Sequence, residues 1–459
     1  MMEGLLSLEG LDTAVMGGAI DTVVVAMTDM QGRLQGKRLH AQFFLDEVAA
    51  HGTEACAYLL ATDTEMETVP GYALSSWEDG YGDFVLAPDM GTLRVLPWQP
   101  GTALVLCDVL ASSDRRPVAP SPRQVLRGVL SRASSGLGWT CLAATELEFI
   151  VFEGSYERAW DTGYAALVPA NRYNVDYSVL GTSRVEPLLR DIRNGMTAAG
   201  LRVESAKGEC NRGQHEIAFR YADALTTADQ HVLYKTGAKE IAARHGYSLT
   251  FMAKVNEREG NSCHIHCSFR SASGDPVMAG PGAYGLSSVG ASVVAGMLAG
   301  LRELTLRFAP TINSYKRFCA GSFAPTAVAW GPDNRTCALR LVGHGPSLRV
   351  ECRVPGGDVN PYLAVAGLVA SALDGAERGL PLPSPVTGSA YTLSSVESSV
   401  ERLPLSLDEA LTLWTGSSLA ESAFGTEVVN HYANMARVEL AAARSAVTDW
   451  ELRRYFERI

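Results

Sequence analysis

The 459-residue chain has little that would tie it to a membrane, a nucleic acid or a disulfide scaffold. No apolar run approaches the roughly 20 residues that a membrane-spanning helix needs. Positive charge is in deficit: 39 Lys and Arg stand against 50 Asp and Glu, a net charge of −11. A general binder of phosphate backbones needs a basic face, so nucleic acid is not an expected partner. Anionic small molecules are not excluded, because local arginine clusters can override the global sign. The first ten residues hold Glu3 and Glu9 and no basic stretch, which does not read as a secretory signal. C-x-x-C is missing, and the nine cysteines are scattered, which fits a reducing cytoplasm better than a disulfide framework. Cys263 and Cys267 are the closest pair, with two histidines between them. No second Cys/His cluster completes a zinc site there, so the pair reads as small buried hydrophobes. A G-x-x-x-x-G-K-S/T loop, a Rossmann G-x-G-x-x-G in its strand–helix setting and a G-x-S-x-G elbow are also missing. Nucleotide, if bound, is held by other devices.

What is present is an ordinary globular balance, 47% apolar and 19% charged. The best boundary is SSDRRPVAPSP, Ser112–Pro122, with three prolines and three charges between apolar segments. Before it, TVVVAMT at Thr22–Thr28 is β-branched and followed by the turn-like DMQG. Leu93–Pro97 and Ala103–Val109 also read as strands. Residues 1–112 are therefore expected to form a small strand-rich domain. In 113–459, apolar spacing predicts helices at Arg123–Arg132, Thr227–Arg244, Val359–Arg378 and Glu427–Ile459. Strands are expected at Trp139–Phe152, Ser248–Lys254, His264–Phe269 and Arg349–Val354. The two kinds do not alternate as βαβ units, so the expected class is α+β with antiparallel pairing.

Candidate chemistry sits at alternate positions on these strands. Glu146 and Glu148 in TELEFI are i, i+2 neighbours and share a strand face. Two carboxylates on one face of an apolar strand need cations if buried, or solvent if the strand is an edge. Glu209 and Glu216 in GECNRGQHEIAFR flank a turn-rich stretch that could bring them together. His264 and His266 in NSCHIHCSF repeat the alternation, which suits metal or phosphate work as well as a half-buried sheet. RVECR places Arg349, Glu351 and Arg353 on one face, as a mutual ion-pair set or as a metal ligand between anion binders. Arg317, Arg335 and Arg340 add cations in the same third of the chain. Together these describe a site for divalent metal, polyphosphate and an anionic substrate.

Taken in order, TELEFI, NSYKRF, APTAVAWGPDNRT, RVECRVP and NPYLA resemble the glutamine synthetase family over nearly the whole chain. The terminal VTDWELRRYFERI resembles the family's helical end. The resemblance implies a small β-grasp N-terminal domain over 1–112 and a large catalytic α+β domain over 113–459, with an antiparallel sheet and helices. It implies a cytoplasmic homo-dodecamer of two hexameric rings with sites between subunits. ATP would phosphorylate the side-chain carboxylate of L-glutamate, and an amine would displace phosphate. Carried over residue by residue, Glu148, Glu209 and Glu216 match the ligands of one metal ion, and Glu146, His264 and Glu351 those of a second. The ions implied are Mg2+ or Mn2+, two or three per site. Arg335 and Arg340 match phosphate-binding arginines, and Arg317 and Arg353 match groups that hold glutamate or its phosphorylated side chain. Gly260 matches backbone that meets glutamate. His266, Ser268, Arg340 and Arg349 match the nucleotide side.

The departures concern the amine. Glutamine synthetases proper carry a glutamate shortly after the K-R motif that attracts ammonium, and here AGSFAP puts Phe323 at that position. An apolar ring neither attracts NH4+ by charge nor takes a proton. The family's N-terminal D-G-S-S signature is missing too. ATDTEMETVPGY stands in that region, with Asp63, Glu65 and Glu67 as candidate replacements. No L-Y-D-L-like adenylylation segment is visible near 385–400. The pattern resembles the branch that joins glutamate to organic amines. Ethanolamine is slightly favoured, with Ser322 as a partner for its hydroxyl and Phe323 as an apolar wall. A diamine or polyamine comes next, since it would want a remote carboxylate. The alternatives are a true glutamine synthetase using ammonium and a catalytically silent nitrogen-sensing protein.

Overall fold

Two sheets carry the chain in the computed structural model, which describes residues 4–393 and 400–459. Glu3 and part of the 385–400 segment lie outside the described residues, and the counts below refer to those that are described. The first sheet holds β1 (Thr22–Thr28), β2 (Leu34–His40), β3 (Thr53–Cys56), β4 (Asp83–Pro88), β5 (Arg94–Val95) and β6 (Thr102–Ala111). Its order is β2-β1-β6-β4-β3, with β5 on β6. It is mixed: β1 and β6 run parallel and the other pairs antiparallel. The DMQG turn joins β1 to β2, where Asp29 Oδ1 accepts the N–H groups of Gln31 at 3.1 Å and Arg33 at 2.8 Å. The strand expected at Leu93–Pro97 shrinks to two residues. The chain turns at once, with Leu96 N–H on Thr102 O and Gln99 N–H on Leu96 O.

The second, ten-stranded sheet is built on the long β7 (Thr140–Glu153). Its other members are β8 (Val168–Pro169), β9 (Val203–Gly208), β10 (Gln214–Phe219), β11 (Ala222–Asp223), β12 (Tyr247–Thr250), β13 (Cys263–Arg270), β14 (Trp330–Pro332), β15 (Leu339–Val342) and β16 (Arg349–Cys352). The main path is β14-β15-β16-β13-β7-β10-β9. Pairing is antiparallel as expected, except that β14 and β15 run parallel. The fold class is thus α+β. The strand expected at Ser248–Lys254 stops at Thr250. Beyond it the Asn261 amide takes the carbonyls of Thr250 at 3.2 Å and Met252 at 2.9 Å, which ends the ladder.

The longer helices are α1 (Leu8–Met16), α2 (Pro122–Leu137), α3 (Glu186–Ala198), α4 (Ala224–Arg244), α5 (Ser288–Gly300), α6 (Pro361–Arg378), α7 (Leu407–Thr415), α8 (Ser418–Phe424), α9 (Thr426–Ser445) and α10 (Asp449–Tyr455). Proline stands at the first turn of α2 and α6, where its missing N–H costs nothing. The helix expected at Glu427–Ile459 breaks into α9 and α10. Thr448 and Glu451 form a capping box that starts a new helix. Among the described residues no helix is long and apolar enough to cross a membrane.

An ion network joins the first sheet to helices α2, α4 and α6. Arg123 on α2 donates to Asp229 on α4 at 2.9 and 3.0 Å, to Asp108 on β6 at 2.6 Å and to Asp89 at 2.8 Å. Tyr362 at the start of α6 donates its hydroxyl to the same Asp229 at 2.6 Å. Removing Arg123 would leave the buried Asp229 carboxylate without its ion-pair partner.

Candidate active site

Strand register writes the site across the second sheet. Antiparallel pairing sets Glu146 on β7 opposite His264 on β13, and Glu148 opposite Glu216 on β10. It also sets His266 opposite Glu351 on β16, and Glu351 opposite Arg340 on β15. Lys207 on β9 lies opposite Glu216. Side chains directly opposite are close neighbours, so the two-residue alternation of each strand becomes one continuous row of charge. Glu209 follows β9 and is held by its N–H on Gln214 O at 2.9 Å.

Two groups in this row have the donor chemistry of metal sites. In the first, ligand atoms of Glu148, Glu209 and Glu216 lie within 4.8 Å of one another. Glu148 Oε2 accepts the Ser262 N–H at 2.7 Å and the Gln214 amide at 3.1 Å. Burial, then the charge of Glu209, pushes Glu148 up to about 8. Burial with Glu146 close by drives Glu216 well above the carboxylate range. Burial also raises Glu209, although Lys207 beside it opposes the shift. Two buried carboxylates and a partly buried one in this state must hold protons or a cation, and their oxygen-only donor set suits a hard divalent ion.

The second group is Glu146, His266 and Glu351, again within 4.8 Å. The family resemblance assigned His264 rather than His266 to this metal. His264 is at hand as well, with Nδ1 3.3 Å from Glu146 and 3.4 Å from Glu351. Burial, then the Arg353 guanidinium, pushes His264 down to about 4, and its buried Nε2 has no partner among the described residues. His264 thus keeps an unspent ring nitrogen. His266 is already committed: Nδ1 accepts from Arg349 Nε at 3.1 Å and Nε2 pairs with Glu146 at 2.9 Å. Arg349 can only donate, so the His266 proton sits on Nε2. Burial opposes ionisation of Glu146 and Glu351. His264 and His266 nevertheless hold Glu146 below the ordinary range, as His264 and Arg353 do Glu351.

These residues face two cavities that share Glu146. One, of about 390 Å3, is lined by both acidic groups together with Gly260, Ser322, Phe323, Arg335, Arg340 and Arg353. The other, of about 450 Å3, is lined by His266, Ser268, Arg349, Arg270 and Tyr221. Arg335 is exposed and has no hydrogen bond among the described residues, so its planar fork is free for a ligand. Arg340 is tied to Glu351 at 2.8 Å and to Asp333. Arg353 is tied to Glu351 and reaches the Phe323 carbonyl at 3.3 Å. A side chain at Gly260 would meet the Ala253 carbonyl oxygen at 2.3 Å, so only glycine fits there.

Three expectations are changed here. Arg317 does not line the substrate cavity: it is buried, donating to Val354 O and Ser262 Oγ at 2.9 Å each. It braces Gly260 and Ser262 from behind. Ser322 lines the cavity, but its hydroxyl proton is directed to the carbonyls of Cys319 at 2.6 Å and Arg317 at 3.0 Å, leaving only lone pairs for a substrate. Asp63, Glu65 and Glu67 do not line this cavity. Asp63 Oδ1 instead accepts the N–H groups of Glu65 and Glu67 at 2.9 Å. Residues that sequence reasoning missed also line it: Asp176, Tyr177, Lys207 and Cys210. The signal for Lys207 was its place two residues before Glu209, visible only once the β9–β10 register is known. The Phe323 ring, half exposed with φ of 59°, stands on the cavity wall.

Comparison with known proteins completes this picture. The glutamine synthetase catalytic domain family matches residues 119–455. Gamma-glutamylethanolamide synthetase GlnA4 of Streptomyces coelicolor is 64% identical over 454 residues, 99% of this chain and 96% of that one. Glutamate–isopropylamine ligase of a Pseudomonas species is 38% identical over 443 residues, 96% of each chain. The solved structure of a GmaS–ADP complex superimposes with a TM-score of 0.85 at 28% identity, over 97% of this chain and 99% of that one. The chain belongs to the glutamine synthetase family, on its branch of glutamate–amine ligases. Enzymes of this family use ATP and divalent metal ions.

Proposed function

We propose that the protein is an ATP-dependent ligase that joins the γ-carboxylate of L-glutamate to ethanolamine through γ-glutamyl phosphate, with release of ADP and phosphate. The observation that carries this reading is the 64% identity to gamma-glutamylethanolamide synthetase over 99% of the chain. The cavity supports it: the row of carboxylates, histidines and arginines is complete, while an apolar ring stands at the position where an ammonium-attracting glutamate is expected. Bound divalent ions, Mg2+ or Mn2+ and two or three per site, would neutralise phosphate charge as Lewis acids. Glu148, Glu209 and Glu216 are the residues to hold one, and Glu146, His264 and Glu351 another.

The chain's own groups supply the rest. Arg335, with no hydrogen bond among the described residues, offers its guanidinium to the phosphoryl group in flight, and Arg340 and Arg353 add positive charge on either side of Glu351. His266, Ser268 and Arg349 face the nucleotide cavity. Gly260 brings bare backbone to the glutamate, with Arg317 fixing that loop from behind. Phe323 excludes water at the rim and gives the amine's carbon chain an apolar surface. It cannot accept a proton, so the proton lost by the attacking amine goes to the acidic wall.

The domain division at 112/113, the cytoplasmic setting and a dodecamer of two hexameric rings belong to the same reading. In such rings Asp63, Glu65 and Glu67 would serve a neighbour's cavity rather than their own. The test is phosphate release from ATP with Mg2+ and L-glutamate while the nucleophile varies among none, ammonium, ethanolamine, putrescine, spermidine and isopropylamine. Release with ethanolamine above the others is expected. Release with ammonium as good as with every amine would return the protein to the ammonium-using enzymes, and no release at all would sink the ligase reading.

A further inference from the structure

Lys207 has no part in the roles assigned above, yet it stands inside the anionic half of the substrate cavity. Its ammonium pairs with Glu209 and lies 4.8 Å from the centroid of the Tyr177 ring. A ligand oxygen of Asp176 is within 4.8 Å of one of Glu209, and Cys210 donates its thiol hydrogen to Asp176 at 3.4 Å. Asp176, Tyr177, Lys207, Glu209 and Cys210 all line the cavity that also holds Phe323.

This corner is held in place by backbone. Tyr177 N–H donates to Gly208 O at 3.3 Å, and Asn174 Oδ1 accepts the Asp176 N–H at 2.8 Å. Tyr177 takes a left-handed φ of 52°, a conformation disfavoured for a tyrosine that the loop enforces to aim the ring. Gly208 must be glycine, since a Cβ there would lie 2.2 Å from the Val175 carbonyl oxygen. The three residues Lys207, Gly208 and Glu209 thus present a cation, a close loop contact and a carboxylate in sequence.

We propose that Lys207 sets the charge rule for the amine substrate: its tethered ammonium fills the cation position between Glu209 and the Tyr177 ring. The cavity then accepts an amine whose far end is uncharged and rejects one whose far end carries a second positive charge. The argument is electrostatic. A carboxylate-lined corner with an aromatic face is what a remote ammonium would seek, by ion pairing and by cation–π attraction. Here the protein supplies that ammonium itself, and a second one would meet like charge. Hydroxyl and alkyl ends meet no such repulsion. The inference rests on the ligase reading and names what that reading leaves open, the class of amine.

The test uses a matched pair of equal chain length, 3-aminopropan-1-ol and 1,3-diaminopropane, with the intact enzyme, ATP, Mg2+ and L-glutamate. The readout is the ratio of their kcat/KM values for phosphate release. Two like charges about 5 Å apart disfavour binding by about fourfold in water-like surroundings and by roughly two-hundredfold in a partly dry cavity. The wild type should favour the amino alcohol by at least about fourfold. Lys207→Met should remove that preference through a lower KM for the diamine, and Lys207→Arg should keep it. An unchanged ratio in Lys207→Met, or loss of both substrates by the same factor, overturns the proposal.

Failure of the ligase reading is distinguishable, because it appears as no amine-dependent phosphate release from the wild type with any amine.

Discussion

Replacing Glu148 by glutamine should stabilise the metal-free protein and abolish its response to divalent ions. Glu148 is buried, and its carboxyl is pushed from the ordinary 4.5 up to about 8 by desolvation and by Glu209. A carboxyl with a raised folded-state pKa binds its proton more tightly folded than unfolded. Stability is therefore lost as pH rises through the window from 4.5 to about 8 and is level above it. At neutral pH, about 2.5 units above the ordinary value, the cost is roughly 3 kcal/mol, because each unit is worth about 1.4 kcal/mol. Glutamine keeps the shape: its side-chain oxygen can accept the Ser262 N–H and the Gln214 amide as Oε2 does now. Its amide then faces the remaining carboxylates as a donor instead of a third charge. A gain of roughly 3 kcal/mol in a chain this long corresponds to about 3 °C in Tm. The assay is thermal melting in chelator across mildly acid to mildly alkaline pH, then with added Mg2+ or Mn2+. The gain over wild type should grow with pH up to about 8, and the metal-induced rise in Tm should vanish. A variant that melts below wild type at the alkaline end without metal, or that responds to metal as wild type does, refutes the reading of a strained anionic cluster.

Three further outcomes follow from the same geometry. Arg335→Lys should lower kcat by about a hundredfold with little change in the KM for ATP, since a point charge cannot reproduce the guanidinium fork at a developing charge; steady-state kinetics decide. Phe323→Glu should lower the KM for ammonium by about fivefold, as a half-exposed carboxylate in water-like surroundings attracts a nearby cation by about 1 kcal/mol; steady-state kinetics with ammonium are the check. His215 is buried neutral, with Nε2 3.0 Å from Asn171 Oδ1, and burial pushes it from 6.5 down to about 4. The unfolded chain binds the proton more readily, so stability falls as pH drops through that window. His215→Gln should flatten the acid limb of urea-unfolding stability by about 1.4 kcal/mol per pH unit, and an unchanged slope would contradict the assignment.

Strand alternation is a local property, and what depends on it was legible in the sequence. The pairs Glu146 and Glu148, His264 and His266, and the triplet Arg349, Glu351 and Arg353 could be placed on common faces from spacing alone. The β-branched TVVVAMT gives the borders of β1 directly. What was not legible depends on what lies behind or across. Arg317 belongs to the K-R motif, but whether its guanidinium faces a cavity is decided by the carbonyl of Val354 and the hydroxyl of Ser262. Lys207 became visible only through the β9–β10 register. The apolar spacing runs from α9 into α10 without interruption, so the break comes from the capping box at Thr448 and not from periodicity. The parallel β14–β15 pair is joined through six residues that carry Arg335 outward, a connection no pattern rule anticipates.

The register that writes the charged row has a consequence for how such an enzyme can be re-specified. Shifting any one of the strands by a single residue would turn its ligands to the opposite face, so the phosphate and metal apparatus can change only by losing itself. Freedom is left at the rim, on the segment around Asp176 and Tyr177 and on the one around Ser322 and Phe323. A new nucleophile is therefore a matter of varying two short loops and the neighbouring Lys207, and a library confined to these positions samples new amines while every metal ligand stays in register.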